Sequence, residues 1–260
     1  MKFAIGSFGW LEAMSDGGTA TTGRPEDRPL ANRHRRRVRA ESDPPQEPSR
    51  PRESLGLTAN FLAGFARFIS GSSVRWIDSQ PDTAQRIYFA NHTSHLDPLV
   101  LWAALPREVR LITRPVAARD YWIKSRLRRY LAEEVFDALL IDRDNIRVHN
   151  SPIKIMLDAI GTHSSLIVFP EGHRNTADEL DEFKSGLFHL CRKRPDLELI
   201  PVYINNVNRV LPRGEFLPVP LLTSITFGPP MWLENKEPKP QFLKRARDAV
   251  IRLREITRNE

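Results

Sequence analysis

Short apolar runs alternate with amphipathic stretches through the middle of this chain, and several of the runs end in a polar block. Residues 87–90, 109–113, 139–141, 165–169, 199–204 and 222–227 are short, strand-like runs dominated by apolar residues, the pattern of buried strands. Between them, 96–105, 120–131, 151–160 and 187–194 read as helices. Residues 241–257 place Phe242, Ala246, Val250, Leu253 and Ile256 on one helical face, with Lys and Arg opposite. Strand and helix in alternation predict an α/β fold, a single mixed-sheet domain flanked by helices.

The polar part of the chain is segregated. Residues 1–54 are rich in Pro, Arg, Glu, Asp, Ser and Gly without apolar periodicity, which predicts a disordered N-terminal arm. Residues 55–260 form the expected folded domain, with its motif-bearing core over 85–230. The start of the chain carries one Lys before an apolar stretch that Glu12 cuts short, so no signal peptide is read. Residues 55–71 are dominated by apolar residues, with Arg67 as the only charge, and are too short to span a bilayer confidently. Leu57, Phe61, Leu62, Phe65 and Phe68 recur there at helical spacing, so one face of an amphipathic helix can enter a membrane interface or pack on the core.

Composition narrows the chemistry. Cys191 is the only cysteine, which excludes an internal disulfide and a multi-cysteine zinc site and marks it as a buried filler. The net charge of +7 favours an anionic partner: nucleic acid, an anionic membrane, a phosphorylated substrate or an acidic carrier protein. The densest basic run, residues 34–39, lies in the polar arm without interleaved aromatics to stack bases, and nucleic acid is not expected.

Three polar blocks carry the candidate chemistry. The first, Asn91-His92-Thr93-Ser94-His95-Leu96-Asp97, follows an apolar strand and puts His92 five positions before Asp97. A carboxylate one helical turn beyond a histidine can fix its tautomer for general-base work. The same residues also fit a helix-capping arrangement of Ser94 with Asp97, and His95 is a rival base. The second block, Phe169-Pro170-Glu171-Gly172-His173-Arg174-Asn175, follows another strand; Gly172 allows close backbone approach to a ligand and Arg174 offers a fork of donors. A surface Glu171–Arg174 pair is the bland alternative. The third is the run 140–143, in which Asp142 and Arg143 close a short apolar strand.

Together the blocks resemble the glycerolipid acyltransferases of the lysophosphatidate acyltransferase type. The family's His-four-residues-Asp motif corresponds to His92 through Asp97, its Arg after an apolar run to Arg143, and its Phe-Pro-Glu-Gly-x-Arg motif to 169–174. Its apolar-Pro-apolar step matches Ile200-Pro201-Val202, and residues 183–186 resemble a segment that often follows the third motif. His173 and Asn175 stand where the family most often has Thr and Ser or Thr.

The resemblance implies a glycerol-3-phosphate acyltransferase-like fold and an O-acyltransferase reaction. His92 and Asp97 would be catalytic; Asn91, Arg143, Glu171, Gly172, Arg174 and Lys184 would bind substrate, with Arg143 and Arg174 on the acceptor phosphate. Backbone amides near Gly172 would meet the oxyanion. The donor would be acyl-CoA or acyl-ACP, with no cofactor and no metal, and the acceptor a lysophospholipid, foremost 1-acylglycerol-3-phosphate. The enzyme would sit peripherally or monotopically on the cytoplasmic face of a lipid bilayer. Lys124, Arg126, Arg128 and Arg129 would draw in an anionic donor or simply form a solvated face near anionic lipid. Two other classes stay open: a metal-dependent hydrolase using His92, His95 and Asp97, and a lipid-binding protein without activity.

Overall fold

The computed structural model describes residues 56, 64, 73–142, 151–175, 179–205 and 223–258. The N-terminal arm, nearly all of the 55–71 stretch and Arg143 lie outside the described residues.

Among the described residues, seven strands form one mixed sheet. They are β1 (Ser73–Trp76), β2 (Arg86–Ala90), β3 (Thr113–Ala118), β4 (Leu139–Ile141), β5 (Ser165–Val168), β6 (Glu198–Asn205) and β7 (Ser224–Phe227), in the spatial order β1-β7-β6-β2-β5-β3-β4. The five strands from β6 to β4 run parallel, whereas β7 pairs antiparallel with β6 and parallel with β1. The central strands are apolar without alternation because helices cover both faces: all five residues of β2 and all four of β5 are buried.

Alternate residues of each strand feed the two cores. Tyr88, Ala90, Ile167, Ile200 and Val202 pack with Val100, Leu101 and Trp102 of α1 (Asp97–Ala104) on one face. Ile87, Phe89, Leu166, Val168 and Leu199 face the other way. They meet α5 (Pro152–Ile160), α6 (Gly186–Lys193) and α7 (Lys239–Arg258) through Met156, Leu187, Phe242 and Val250. Each fully buried side chain of this size stabilises the fold by about 1.5–3 kcal/mol relative to leaving it in water.

Two expected elements differ. Residues 109–113 belong mostly to helix α2 (Arg107–Ile112), and the strand begins at Thr113. Arg110 explains the difference. Its guanidinium lies over the Trp102 ring at 5.4 Å and donates to the carbonyls of Ala103 and Leu105, capping α1, so its segment is held as a helical turn. The helix expected over 120–131 is broken into α3 (Arg119–Trp122) and α4 (Arg126–Tyr130). Ser125 is extended and its hydroxyl accepts from the Arg128 amide, which ends one turn and starts the next; a wider turn over Leu131–Val135 continues α4. Strand β1 has no counterpart among the sequence expectations. Only four residues long and half exposed, it is fixed by Trp76 stacking on Phe227 at 3.9 Å.

The connections place the site. The chain leaves β2 into α1 on one face of the sheet, and leaves the adjacent strand β5 toward α6 on the other. Two neighbouring parallel strands whose exits diverge open a crevice at their carboxyl ends, where ligands of open α/β sheets bind.

Candidate active site

Both motif loops open from that crevice. His92 stands two residues beyond β2, and its Nδ1 lies 2.9 Å from Asp97 Oδ2. Asp97 is completely buried at the first position of α1, with Pro98 behind it setting the helical start. The same Oδ2 accepts the amides of Thr93 at 2.6 Å and Ser94 at 2.8 Å. Orientation of the imidazole and closure of the turn before α1 therefore coincide in one carboxylate. The Ser94 hydroxyl accepts from Leu96 N at 3.2 Å and serves the turn itself. His92 keeps 18% of its side chain exposed and stacks on Phe169 at 4.4 Å, a contact that orients the ring across the two loops.

His95 faces elsewhere. Its ring stacks on Tyr121 at 4.2 Å, with 11° between the ring planes. The Arg128 guanidinium sits 4.4 Å over the same Tyr121 ring. Both groups therefore pack against one phenol ring, which links the His92–Asp97 loop to α4.

The second loop is locked to the first. Glu171 Oε1 accepts the His92 amide at 2.8 Å and Oε2 accepts the Asp181 amide at 3.1 Å, while Asn175 donates its amide to the His92 carbonyl at 2.7 Å. Burial, at 1% exposure, pushes the Glu171 carboxyl above its ordinary range against the lowering effect of these donors. Glu171 thus organises the loops. Gly172 has a φ of 74°, a conformation that favours glycine, at the end of a turn in which its N–H donates to Phe169 O at 3.1 Å. That amide is engaged in the turn, which removes it as a ready-made oxyanion donor.

Asn91 takes a role different from the one expected of it. It is buried, its Nδ2 donates to Ile204 O at 2.9 Å, and its Oδ1 accepts Ile204 N at 2.8 Å. The side chain staples β2 to β6 just where the His92 loop begins, so both ends of its amide are committed to the backbone.

Arg174 lies partly buried in the same loop as Gly172. Lys184 is partly buried too, and its backbone amide donates to Pro170 O at 2.8 Å, tying the segment before α6 to the motif. Arg247 of α7 donates through Nε to the carbonyls of Leu180 and Asp181, both at 3.1 Å, bracing the segment from behind. His173 contacts Glu171 O at 3.0 Å through Nδ1 and Asp181 Oδ2 at 2.8 Å through Nε2. Asp181 and Phe169 complete the framework. Phe169 was visible as part of a motif, whereas Asp181 carries no signal in the sequence beyond following the loop.

Pro201 of the apolar-Pro-apolar step is in β6, where its carbonyl accepts the Gly228 amide at 2.8 Å. A Cβ on Gly228 would come within 3.0 Å of the Pro201 ring and 3.1 Å of Leu253, so a side chain there would press strand, turn and α7 apart by a few tenths of an ångström. Among the described residues no group of three or more His, Cys, Asp or Glu side chains is placed to hold a metal ion. None of the described helices is long and apolar enough to cross a membrane.

Comparison with known proteins agrees with this geometry. The Acyltransferase family model matches residues 73–205, half of the chain. The 1-acyl-sn-glycerol-3-phosphate acyltransferase of Limnanthes douglasii is 25% identical over 75% of this chain and 68% of its own length. A probable 1-acyl-sn-glycerol-3-phosphate acyltransferase of Mycoplasma pneumoniae is 31% identical over 37% of this chain and 36% of its own. The crystal structure of the 1-acyl-sn-glycerophosphate acyltransferase PlsC from Thermotoga maritima shares the fold, with a TM-score of 0.58 at 18% identity, covering 76% of this chain and 79% of that one. By its family match, its fold and the ordered set of motif loops around one crevice, the chain belongs to the Acyltransferase family.

Proposed function

We propose that this acyltransferase moves a fatty acyl group from a thioester, acyl-CoA or acyl-ACP, to the free hydroxyl of 1-acylglycerol-3-phosphate, giving phosphatidic acid. The observation that carries the reading is the 2.9 Å contact between His92 Nδ1 and Asp97 Oδ2. A carboxylate there accepts the Nδ1 proton and leaves Nε2 as the basic nitrogen. The names of the relatives support the choice of acceptor.

In this mechanism His92 Nε2 removes the hydroxyl proton as the oxygen attacks the thioester carbonyl. Asp97 stabilises the imidazolium that forms. The tetrahedral oxyanion collapses by breaking the carbon–sulfur bond, and the imidazolium returns its proton to the departing thiolate. No acyl-enzyme is required. Arg174, with Arg143, holds the acceptor phosphate, and the Gly172 turn positions Arg174. Lys184 adds positive charge on the neighbouring segment. The enzyme works as a peripheral membrane protein, on the cytoplasmic face, because its acceptor resides in a bilayer.

Purified protein supplied in turn with acyl-CoA and acyl-ACP, across lysophosphatidate, other lysophospholipids and glycerol 3-phosphate, tests the assignment. Preference for lysophosphatidate is expected. Exclusive use of glycerol 3-phosphate or of a phosphate-free acceptor would overturn the choice of acceptor and leave the base chemistry standing.

A further inference from the structure

Six large hydrophobic side chains are exposed among the described residues, and three of them fall within eight positions: Ile123 at 46%, Leu127 at 67% and Tyr130 at 45%. Leu127 is the most exposed of the six. Apolar side chains scattered singly are ordinary on a protein surface; their clustering in one segment is not. Lys124, Arg126 and Arg129 are exposed among them, and Arg128 is half-buried against Tyr121. Asp120 is the one acid between residues 119 and 130.

The position of this segment matters as much as its composition. It leaves the carboxyl end of β3, the same edge of the parallel sheet from which the His92 and Glu171 loops emerge. The His95–Tyr121–Arg128 stack ties it directly to the catalytic loop. An acceptor with its acyl chain in lipid and its polar end at His92 requires the bilayer to meet the protein beside that loop.

We propose that residues 119–130 form a docking surface for an anionic lipid bilayer, with Ile123, Leu127 and Tyr130 entering the headgroup boundary and Lys124 and Arg126 facing lipid phosphates. The proposal rests on the acyl-transfer reading for its purpose and on exposure and charge for its substance. An acidic carrier protein would be met by the basic residues alone. Bare aliphatic side chains interleaved with them match a surface that is anionic outside and hydrocarbon beneath. The stack would then transmit the docked position to the loop carrying His92.

Flotation of the full chain with phosphatidylcholine vesicles, with and without phosphatidylglycerol, tests the docking without any turnover. The Ile123→Ser/Leu127→Ser variant should partition about tenfold less onto the mixed vesicles. Lys124→Glu/Arg126→Glu should lose at least about twentyfold, and selectively on the anionic vesicles. Ile256→Ser, at an exposed apolar residue on α7, serves as the control and should bind as the parent does. With a water-soluble short-chain lysophosphatidate, the Ile123→Ser/Leu127→Ser and Ile256→Ser variants should retain parental turnover. Unchanged vesicle binding in both double variants would overturn the proposal. So would unchanged binding together with a loss of activity confined to the acyl-ACP donor, which would make this a protein-docking surface. A parent that binds vesicles through this surface yet acylates no acceptor would sink the acyl-transfer reading and leave the docking surface intact.

Discussion

Asp97 Oδ2 lies 2.9 Å from His92 Nδ1 while accepting the backbone amides of Thr93 and Ser94. One oxygen therefore shapes the loop and orients the His92 ring, and its charge is directed at the imidazole from a fully buried position. Asp97→Asn keeps an acceptor oxygen for the two amides and removes the charge that stabilises the imidazolium. Turnover should fall by about 10²–10⁴, the usual range for disabling a positioned base, with little change in melting temperature. Steady-state kinetics with a thermal melt check this; parental turnover would mean that the carboxylate serves the helix start alone.

Glu171 holds two backbone donors, from His92 and Asp181, one on each oxygen. Glutamine offers a single acceptor oxygen, so Glu171→Gln leaves one N–H facing an NH₂ group, at a cost of about 1–3 kcal/mol. The pH dependence has a definite sign. Burial raises the native carboxyl above its unfolded value, so the folded protein binds the proton more tightly. The stabilising contribution of Glu171 is complete below the unfolded carboxylate range and is lost as pH rises through the native value. Urea midpoints across mildly acidic pH should show this decline in the parent and not in Glu171→Gln.

Asn91 and Ile204 exchange two hydrogen bonds across the β2–β6 junction. Asn91→Ala strands both buried backbone groups of Ile204 and should destabilise the fold by about 1–3 kcal/mol. A residue that staples strands lowers stability and turnover together. One that holds the acceptor would instead raise its KM in a protein of parental stability, and calorimetry alongside kinetics separates the two.

Cys191 is buried on α6, and desolvation pushes its thiol up to about 12. The native protein should resist iodoacetamide at neutral pH, because the reactive form is the thiolate. Mass spectrometry should find the adduct only after denaturation; rapid labelling of the native state would contradict the packing of α6 against α7.

Much of this architecture was legible in the chain. Apolar runs such as 87–90 and 165–168 announce buried strands because parallel sheets need apolar residues on both faces, and they located both loops. Residues 109–113 were misleading for a local reason: Leu111 and Ile112 read as strand, yet Arg110 reaches back to cap α1 and holds its segment helical. The break at Ser125 depends on a hydroxyl-to-amide bond that hydrophobic spacing does not report. In the site, the spacing of His92 and Asp97 carried their relationship. The commitment of Asn91 to Ile204 did not show, because 113 residues separate partners that only the sheet brings together. Asp181 was hidden in the same way, since it acts on Glu171 through a backbone amide that any residue supplies.

The most direct test of the account is the rate of phosphatidic acid formation from lysophosphatidate and acyl-CoA by the parent and by His92→Ala. The account predicts a parent that forms the product and a folded variant slower by at least about 10²-fold, the contribution of a general base. A folded His92→Ala protein that turns over at the parental rate would contradict it.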